Sequence, residues 1–196
     1  MEIIIDNGHG SDTCGKCSPD KCLMEYKYCR EIAAEVVKRL SSKGYNARLL
    51  VTEDNDISLG TRCKRVNDVC YNSGAQNVML VSIHCNAKGD GRKWEDARGW
   101  QACVSNNASQ RSKQLASCLF DAAQAQGLRM RSPKPGQKWW AQNLAICRDT
   151  NCPAVLTENL FQDNKQDVAY LLSDAGRETI IQLHTEGIMN YIKMSV

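Results

Sequence analysis

The sequence predicts a single α/β domain, in which a mostly parallel or mixed twisted sheet of about six strands is flanked by helices. Two observations support this fold class. Short apolar runs alternate with longer segments whose apolar residues recur at helical spacing. The 196 residues are also enough to bury one sizeable core. Because we find no repeat, low-complexity tract or linker, we expect residues 1–196 to form one domain.

The first half of the chain is predicted to alternate strand and helix. Ser18-Pro19 is typical of a helix start, with a capping serine and a proline in the first turn. Gly44 and Gly74 are placed to end helices. The run at 77–83 is apolar enough for a strand buried on both faces. The predicted elements are a strand at 2–6, a helix from Ser18-Pro19 to about Ser42, a strand at 46–51, a helix from Ser58 to Gly74 and a strand at 77–83.

The second half continues the same pattern with two longer loops. Trp139 and Trp140 make the second loop a possible groove wall, although the favoured interpretation is that they only anchor that loop to the core. Ser173 is a candidate cap between two C-terminal helices. The predicted elements are an exposed loop at 86–98, a strand at 99–104, a helix at 108–126, a loop at 129–142, strands at 143–147 and 153–158, and the two final helices.

Composition excludes several classes of protein. The hydrophobic fraction of 42% and charged fraction of 24% are ordinary for a soluble globular protein. A net charge of +3 is too small to indicate nucleic-acid binding, which we do not expect. No apolar run approaches the roughly 18 residues of a membrane span, and the N-terminus lacks the pattern of a signal peptide. We therefore expect synthesis in the cytoplasm and read most of the eleven cysteines as reduced thiols. Oligomeric state is not predicted.

Three polar side chains each follow an apolar run at the point where a buried strand should end. They are His9 in Asp6-Asn7-Gly8-His9-Gly10, His84 in Ser82-Ile83-His84-Cys85-Asn86, and Glu158 in Val155-Leu156-Thr157-Glu158-Asn159. Sites in open α/β sheets form outside the carboxyl ends of strands, so we expect these groups to meet. Two imidazoles with carboxylates indicate a catalytic zinc centre.

Glu158 differs from a ligand because it closes a buried run. Burial raises a carboxyl pKa toward neutrality, which suits a general base or acid. The alternative is a carboxylate neutralised by a neighbouring arginine such as Arg148.

The third zinc ligand must be a carboxylate, because the chain has only three histidines. His184 lies in the last helix, far from the strand ends, and is interpreted as a surface or packing histidine. Glu25 is the preferred candidate, because the first helix packs back beside the first strand and should open near the site. Asp12 and Asp20 in the preceding loop remain alternatives, and Glu25 could instead complement the helix dipole.

A cysteine-rich loop lies between His9 and Glu25. Cys14 and Cys17 form a CxxC, and with Cys22 and one further ligand they could hold a second, structural zinc. The CxxC lies in a polar loop rather than at a helix start, so a redox role is disfavoured. Loop thiols without a special role are the default interpretation, and a second zinc is not favoured.

The motifs together resemble those of the zinc-dependent N-acetylmuramoyl-L-alanine amidases of the type-3 amidase family, which are peptidoglycan hydrolases. The resemblance spans nearly the whole chain in order. Asn7 stands where the family has proline, and Leu160 where it usually has glycine. The matching segments are Asp6 to Gly10, the helix opening at Glu25, Leu59 to Arg62 with Val66-Asn67, Ser82 to Ala87, and Arg148 to Asn164.

The resemblance implies a single catalytic amidase domain with no separate wall-binding domain. It implies that His9, Glu25 and His84 hold one Zn²⁺ and that Glu158 is the catalytic carboxylate. The substrate implied is peptidoglycan, cut at the amide between N-acetylmuramic acid and L-alanine, at the cell wall after release or export.

Supporting roles are also predicted around this centre. Asn86 and Asp6 are possible groups that orient the histidines, and Arg148 is a possible oxyanion stabiliser. Arg62 is expected in a structural ion pair. The alternatives to an amidase are another zinc peptidase acting on wall stem peptides, or a non-enzymatic cysteine-rich zinc-binding module.

Overall fold

The structure, a computed structural model, describes residues 1–194. Over these residues six strands and six α-helices mostly alternate, except that β4 follows β3 directly and α6 follows α5. The strands are β1 (Glu2–Asn7), β2 (Asn46–Leu49), β3 (Val78–Asn86), β4 (Gln101–Ser105), β5 (Trp140–Gln142) and β6 (Ala154–Phe161). The helices are α1 (Glu25–Ser42), α2 (Leu59–Ser73), α3 (Gln110–Ala125), α4 (Ala145–Arg148), α5 (Lys165–Leu172) and α6 (Asp174–Met194).

The six strands form one mixed sheet in the order β2-β1-β3-β6-β4-β5. All neighbouring pairs are parallel except β4 with β6, which is antiparallel. The predicted six-stranded α/β fold is therefore confirmed. Because β1, β3 and β6 are parallel neighbours, their carboxyl ends meet at one edge of the sheet, where a site is expected.

Apolar side chains cover both faces of this sheet. In β1, Ile3 and Ile5 pack into one cluster with residues of α1, α3 and α6, while Ile4 packs into a second cluster with residues of α2 and α4. All three isoleucines are fully buried, and each contributes roughly 1.5–3 kcal/mol relative to an exposed side chain. The central strands are thus packed against helices on both faces of the sheet.

The predicted start of the first helix at Ser18-Pro19 is wrong, because α1 begins at Glu25. Ser18 instead closes a tight turn: its hydroxyl accepts from the Leu23 backbone N–H at 3.0 Å, and Lys21 has a left-handed φ of 63°. Cys17 and Met24 form an antiparallel bridge across this turn. As a result, Glu25 is the first residue of α1.

The predicted strand at 143–147 is also wrong, because Ala145–Arg148 is the short helix α4. The strand that replaces it in the count of six is β5, which lies inside the predicted loop 129–142 and pairs with β4. Short apolar runs do not distinguish a buried strand from a buried helical turn by periodicity.

Several helix ends follow the sequence closely. Ser58 caps α2 by accepting from the Thr61 N–H, and Gly74 follows its last residue. Ser173 lies between α5 and α6 and accepts from the Gly176 N–H at 3.0 Å. The predicted capping positions at Ser58 and Ser173 are therefore confirmed.

Candidate metal centre and active site

His9, Glu25 and His84 converge at the carboxyl edge of the sheet. Within residues 1–194 they form the one group of three potential ligands whose donor atoms all lie within 4.8 Å of one another. The two imidazole rings meet edge to face, with centroids 5.0 Å apart. Two imidazoles and one carboxylate, with room for a further ligand, are the donor set of a catalytic zinc site.

The glycines around His9 permit this close approach. A Cβ at Gly8 would lie 2.5 Å from the His84 ring, and a Cβ at Gly10 would lie 1.9 Å from the Asp56 backbone nitrogen. His9 itself has a left-handed φ of 61°, an uncommon conformation for a residue with a side chain. The Asp6–Gly10 segment therefore forms a turn that only small neighbours allow.

Glu25 is the buried centre of the cluster. Its Oε1 lies 3.1 Å from Nδ1 of His84 and 3.4 Å from Nε2 of His9, and accepts from the Cys85 N–H at 3.0 Å. Its Oε2 is buried without a hydrogen-bond partner. Burial by itself would raise the pKa of Glu25, but hydrogen bonds from His84 and His9 outweigh it and lower the pKa. Glu25 is therefore held as an anion between the two imidazoles.

Glu158 lies beside the cluster and has a different environment. It is directly opposite His84 in the parallel pairing of β3 and β6. Burial raises the pKa of Glu158 to about 7, with His84 lowering it in part. Its Oε2 is buried and unpartnered. A carboxyl group that exchanges its proton near neutrality is suited to proton transfer.

The residue after Glu158 fixes this part of β6. The Asn159 amide donates to the His84 carbonyl oxygen at 2.9 Å, and its own oxygen accepts from the Trp100 indole N–H at 2.8 Å. Asn159 and Trp100 are fully buried. Glu158 and His84 are thereby held in register on adjacent strands.

A cavity of about 350 Å³, which we call the metal-site cavity, opens above these groups. His9, His84 and Glu158 line it, together with Lys16 from the cysteine-rich loop and apolar side chains that include Leu59. Sequence reasoning did not single out Lys16. The only available signal was its position between His9 and Glu25.

Asp6 and Arg62 form a buried ion pair next to the turn that carries His9. The Asp6 carboxylate accepts from Arg62 Nη1 at 2.6 Å and from the Ser82 hydroxyl at 2.6 Å. Arg62 also donates to the Asn7 carbonyl at 2.6 Å. The predicted structural ion pair of Arg62 is confirmed. Contrary to prediction, the Asp6 carboxylate makes no hydrogen bond to either imidazole. It is linked to His9 through Arg62, whose Nη2 donates to the His9 carbonyl oxygen at 3.3 Å.

Two other predicted supporting residues are placed elsewhere. The Asn86 side chain accepts from the Ala87 N–H and bonds neither histidine. Arg148 is exposed and paired with Asp149 and Asn143, on the wall of a different cavity. The predicted oxyanion role of Arg148 has no support in this geometry, because the strand expected to carry it is the helix α4.

The remaining predictions concern cysteines and His184. All eleven cysteines are free, and Cys14, Cys17 and Cys22 do not form a ligand group among residues 1–194. His184 is fully buried, with Nδ1 2.7 Å from the Ile180 carbonyl and Nε2 2.9 Å from the Thr157 hydroxyl. It is a packing histidine.

Within residues 1–194, no helix has the length and apolar character required to cross a membrane.

Comparison with known families gives a match over residues 3–190 to the family described as N-acetylmuramoyl-L-alanine amidase. Among curated proteins, the endolysin of Bacillus phage SPP1 is 29% identical over 194 residues, which cover 98% of this chain and 66% of the endolysin. The N-acetylmuramoyl-L-alanine amidase AmiC of Neisseria meningitidis serogroup B is 26% identical, with 99% of this chain and 53% of AmiC covered. The chain thus spans roughly half to two thirds of these relatives.

Solved structures show the same fold. The N-acetylmuramoyl-L-alanine amidase from Clostridium difficile 630 superposes with a TM-score of 0.82 at 25% identity, covering 98% of this chain and 96% of that one. The catalytic domain of CwlV from Bacillus (Paenibacillus) polymyxa var. colistinus gives a TM-score of 0.81 at 24% identity, covering 98% and 99%.

Proposed function

The chain belongs to the N-acetylmuramoyl-L-alanine amidase family, and from that membership we propose that it hydrolyses the amide between N-acetylmuramic acid and L-alanine in peptidoglycan with one zinc ion. The observation that carries the proposal is the convergence of His9, Glu25 and His84 beside a Glu158 whose pKa is raised to about 7. No separate wall-binding domain is needed for this chemistry.

The donor set fits zinc. His9 and His84 direct Nε2 and Nδ1 toward the same Glu25 oxygen, and the unpartnered Oε2 of Glu25 is a buried acceptor that a cation would satisfy. Zinc held there supplies Lewis-acid chemistry, since it polarises a carbonyl and lowers the pKa of water from about 15.7 toward 7.

Glu158 performs the proton transfers in this proposal. In its deprotonated form it takes a proton from the attacking water, and in its protonated form it delivers that proton to the departing L-alanine amine. Its raised pKa suits both steps, because neither form is strongly favoured near pH 7. The cation of Lys16 lines the same cavity, where it lowers the pKa of Glu158 slightly and offsets negative charge.

The biological role that we propose is degradation of the bacterial cell wall, either as host lysis or as wall remodelling. The similarity to a phage endolysin and to a bacterial amidase supports both settings. Peptidoglycan is the partner in each case, so the protein acts at the wall after release or export.

The test combines zinc content with release of new amino termini from purified peptidoglycan. We expect one zinc per chain in wild type and in Glu158→Gln, and loss of activity by about 10³-fold or more in that variant. His84→Ala should lose the zinc, whereas Lys64→Gln, on the exposed face of α2, should change neither quantity.

Product analysis separates the amidase from its alternatives. An amidase liberates amino-terminal L-alanine on intact stem peptides, whereas a stem peptidase cuts within them. Near-wild-type hydrolysis by Glu158→Gln, or zinc retained in His84→Ala, would contradict the assignment.

A further inference from the structure

A second cavity, of about 400 Å³, lies beside the metal-site cavity on the same edge of the sheet. Gln101 lines it and is directly opposite Glu158 in the antiparallel pairing of β4 and β6. Asn86, two residues beyond His84, and Phe161, three beyond Glu158, line it as well. Glu158 lines the metal-site cavity and its cross-strand neighbour Gln101 lines the second one, which we call the Arg131 cavity, so the two cavities are adjacent across this strand pair.

Arg131 is held in a fixed orientation in the wall of this cavity. Its Nε donates to Gln101 Oε1 at 3.0 Å, and Nη1 lies 3.5 Å from the Arg98 carbonyl. The guanidinium carbon is 4.9 Å from the centre of the Phe161 ring, which it stacks upon. These contacts fix the plane of the guanidinium without neutralising it.

The charge of Arg131 has no acidic partner among residues 1–194: no carboxylate oxygen lies within 4.0 Å of it. Lys88, the other cation of this cavity, is paired with Asp96 and Glu95. A partly buried, preorganised guanidinium is a strong site for a carboxylate, which it can bind through two parallel hydrogen bonds. Trp140 adds an aromatic wall.

We propose that the Arg131 cavity binds the stem peptide on the leaving-amine side of the scissile bond, with Arg131 pairing with a stem carboxylate. This inference rests on the proposed function. In the intact substrate the lactyl carboxyl of muramic acid is consumed in the scissile amide, so the stem supplies the free carboxylates.

The reach of a peptide agrees with this placement. Residues paired across an antiparallel ladder have Cα atoms about 4.5–5.5 Å apart, and Arg131 is hydrogen-bonded to the tip of Gln101. An extended peptide advances about 3.3–3.6 Å per residue. A carboxylate on the second stem residue therefore reaches the guanidinium while the scissile amide lies over Glu158.

The experiment uses two synthetic N-acetylmuramoyl-L-alanyl peptides that differ only in one group, a free carboxylate or a carboxamide on the second residue. We expect zinc-loaded wild type to cleave the acid with a kcat/KM about 10- to 100-fold higher, mostly through KM. Arg131→Gln should abolish this preference by losing activity on the acid alone, and Arg131→Lys should restore part of it. Lys134→Gln removes one charge from an exposed position of the same loop and should keep the preference.

The outcomes separate this site from the proposed function. Equal cleavage of both peptides by wild type, or an equal loss on both in a folded Arg131→Gln, overturns the carboxylate site while leaving the amidase intact. Cleavage of neither peptide by wild type overturns the proposed function, and with it the carboxylate site that depends on that function. Thermal unfolding checks that each variant is folded. If Arg131→Gln is unfolded, the comparison of wild type with Arg131→Lys decides the question: a preference for the acid peptide in wild type that is partly kept in Arg131→Lys supports the site, and no preference in wild type overturns it.

Discussion

Glu25 and Glu158 are two buried carboxylates whose different surroundings prepare them for different tasks. Burial favours the neutral form of both. Glu25 receives hydrogen bonds from two imidazoles and one backbone N–H, so its pKa is lowered and it remains an anion. Glu158 has no such donors, and burial raises its pKa to about 7. The proposed roles, a metal ligand for Glu25 and a proton carrier for Glu158, therefore rest on local contacts rather than on residue type.

Because His184 is buried, we expect the folded protein to lose stability in mild acid. Burial lowers its pKa from 6.5 to about 4, so between these values the unfolded chain binds a proton that the folded chain does not. The contribution of His184 to stability is complete above pH 6.5 and is lost as the pH falls toward 4. The shift corresponds to about 3 kcal/mol. Urea unfolding between pH 7.5 and 4 should show this loss.

The matched variant for this experiment is His184→Gln, whose side chain does not titrate. It should have a lower free energy of unfolding at pH 7, because the bonds to Thr157 and Ile180 are altered. Its stability should nevertheless fall less steeply with acid than that of wild type. Parallel pH profiles for the two proteins would contradict a neutral, buried His184.

At the scale of elements, the sequence predicted the site better than it predicted the segments around it. The ends of β1, β3 and β6 were recognisable because polar groups follow strongly apolar runs. The start of α1 was not, since Ser18 makes the contacts of a turn rather than those of a helix cap. The edge strand β5 has only three residues, which is too short for a periodic signal.

The placement of supporting residues depended on those elements. Arg148 was expected near Glu158 because a strand was predicted at 143–147, and that expectation failed with the strand. Arg131 and Gln101 come together only through the connection that follows α3 and through the antiparallel β4. Such long-range pairings leave no local pattern in the sequence.

Leu160 marks an irregularity in β6 with a testable cost. Its φ is 64°, and the pairing with β3 shifts register just beyond Glu158. A left-handed residue with a side chain is disfavoured by roughly 1–2 kcal/mol, whereas glycine is not. We therefore expect Leu160→Gly to be more stable than Leu160→Ala by about 1 kcal/mol, although both lose a buried side chain. Urea unfolding measures the difference.

Leu156, in the same strand, is the control for this comparison. It lacks a positive φ, so Leu156→Gly should be less stable than Leu156→Ala by about 0.5–1 kcal/mol, the usual order. If glycine is also the less stable substitution at position 160, the left-handed backbone does not carry the proposed cost.

At the scale of the whole molecule, the candidate metal site joins segments that are distant along the chain. His9 follows β1, Glu25 opens α1 and His84 lies near the end of β3. A ligand that binds only the folded chain stabilises it according to its concentration and affinity. Zinc should therefore stabilise the entire cooperative unit rather than one loop.

Chelation provides the last prediction, because it removes that stabilisation without changing a residue. Free zinc at about 100 times its dissociation constant contributes about 2.7 kcal/mol, which for a chain of this size corresponds to a Tm shift of roughly 5–11 °C. Calorimetry with and without chelator should show this shift in wild type and in Glu158→Gln, since Glu158 is outside the ligand group. His84→Ala should show little or none. An equal shift in His84→Ala that disappears in Cys14→Ser would instead place the stabilising metal in the cysteine-rich loop. It would contradict a zinc site formed by His9, Glu25 and His84.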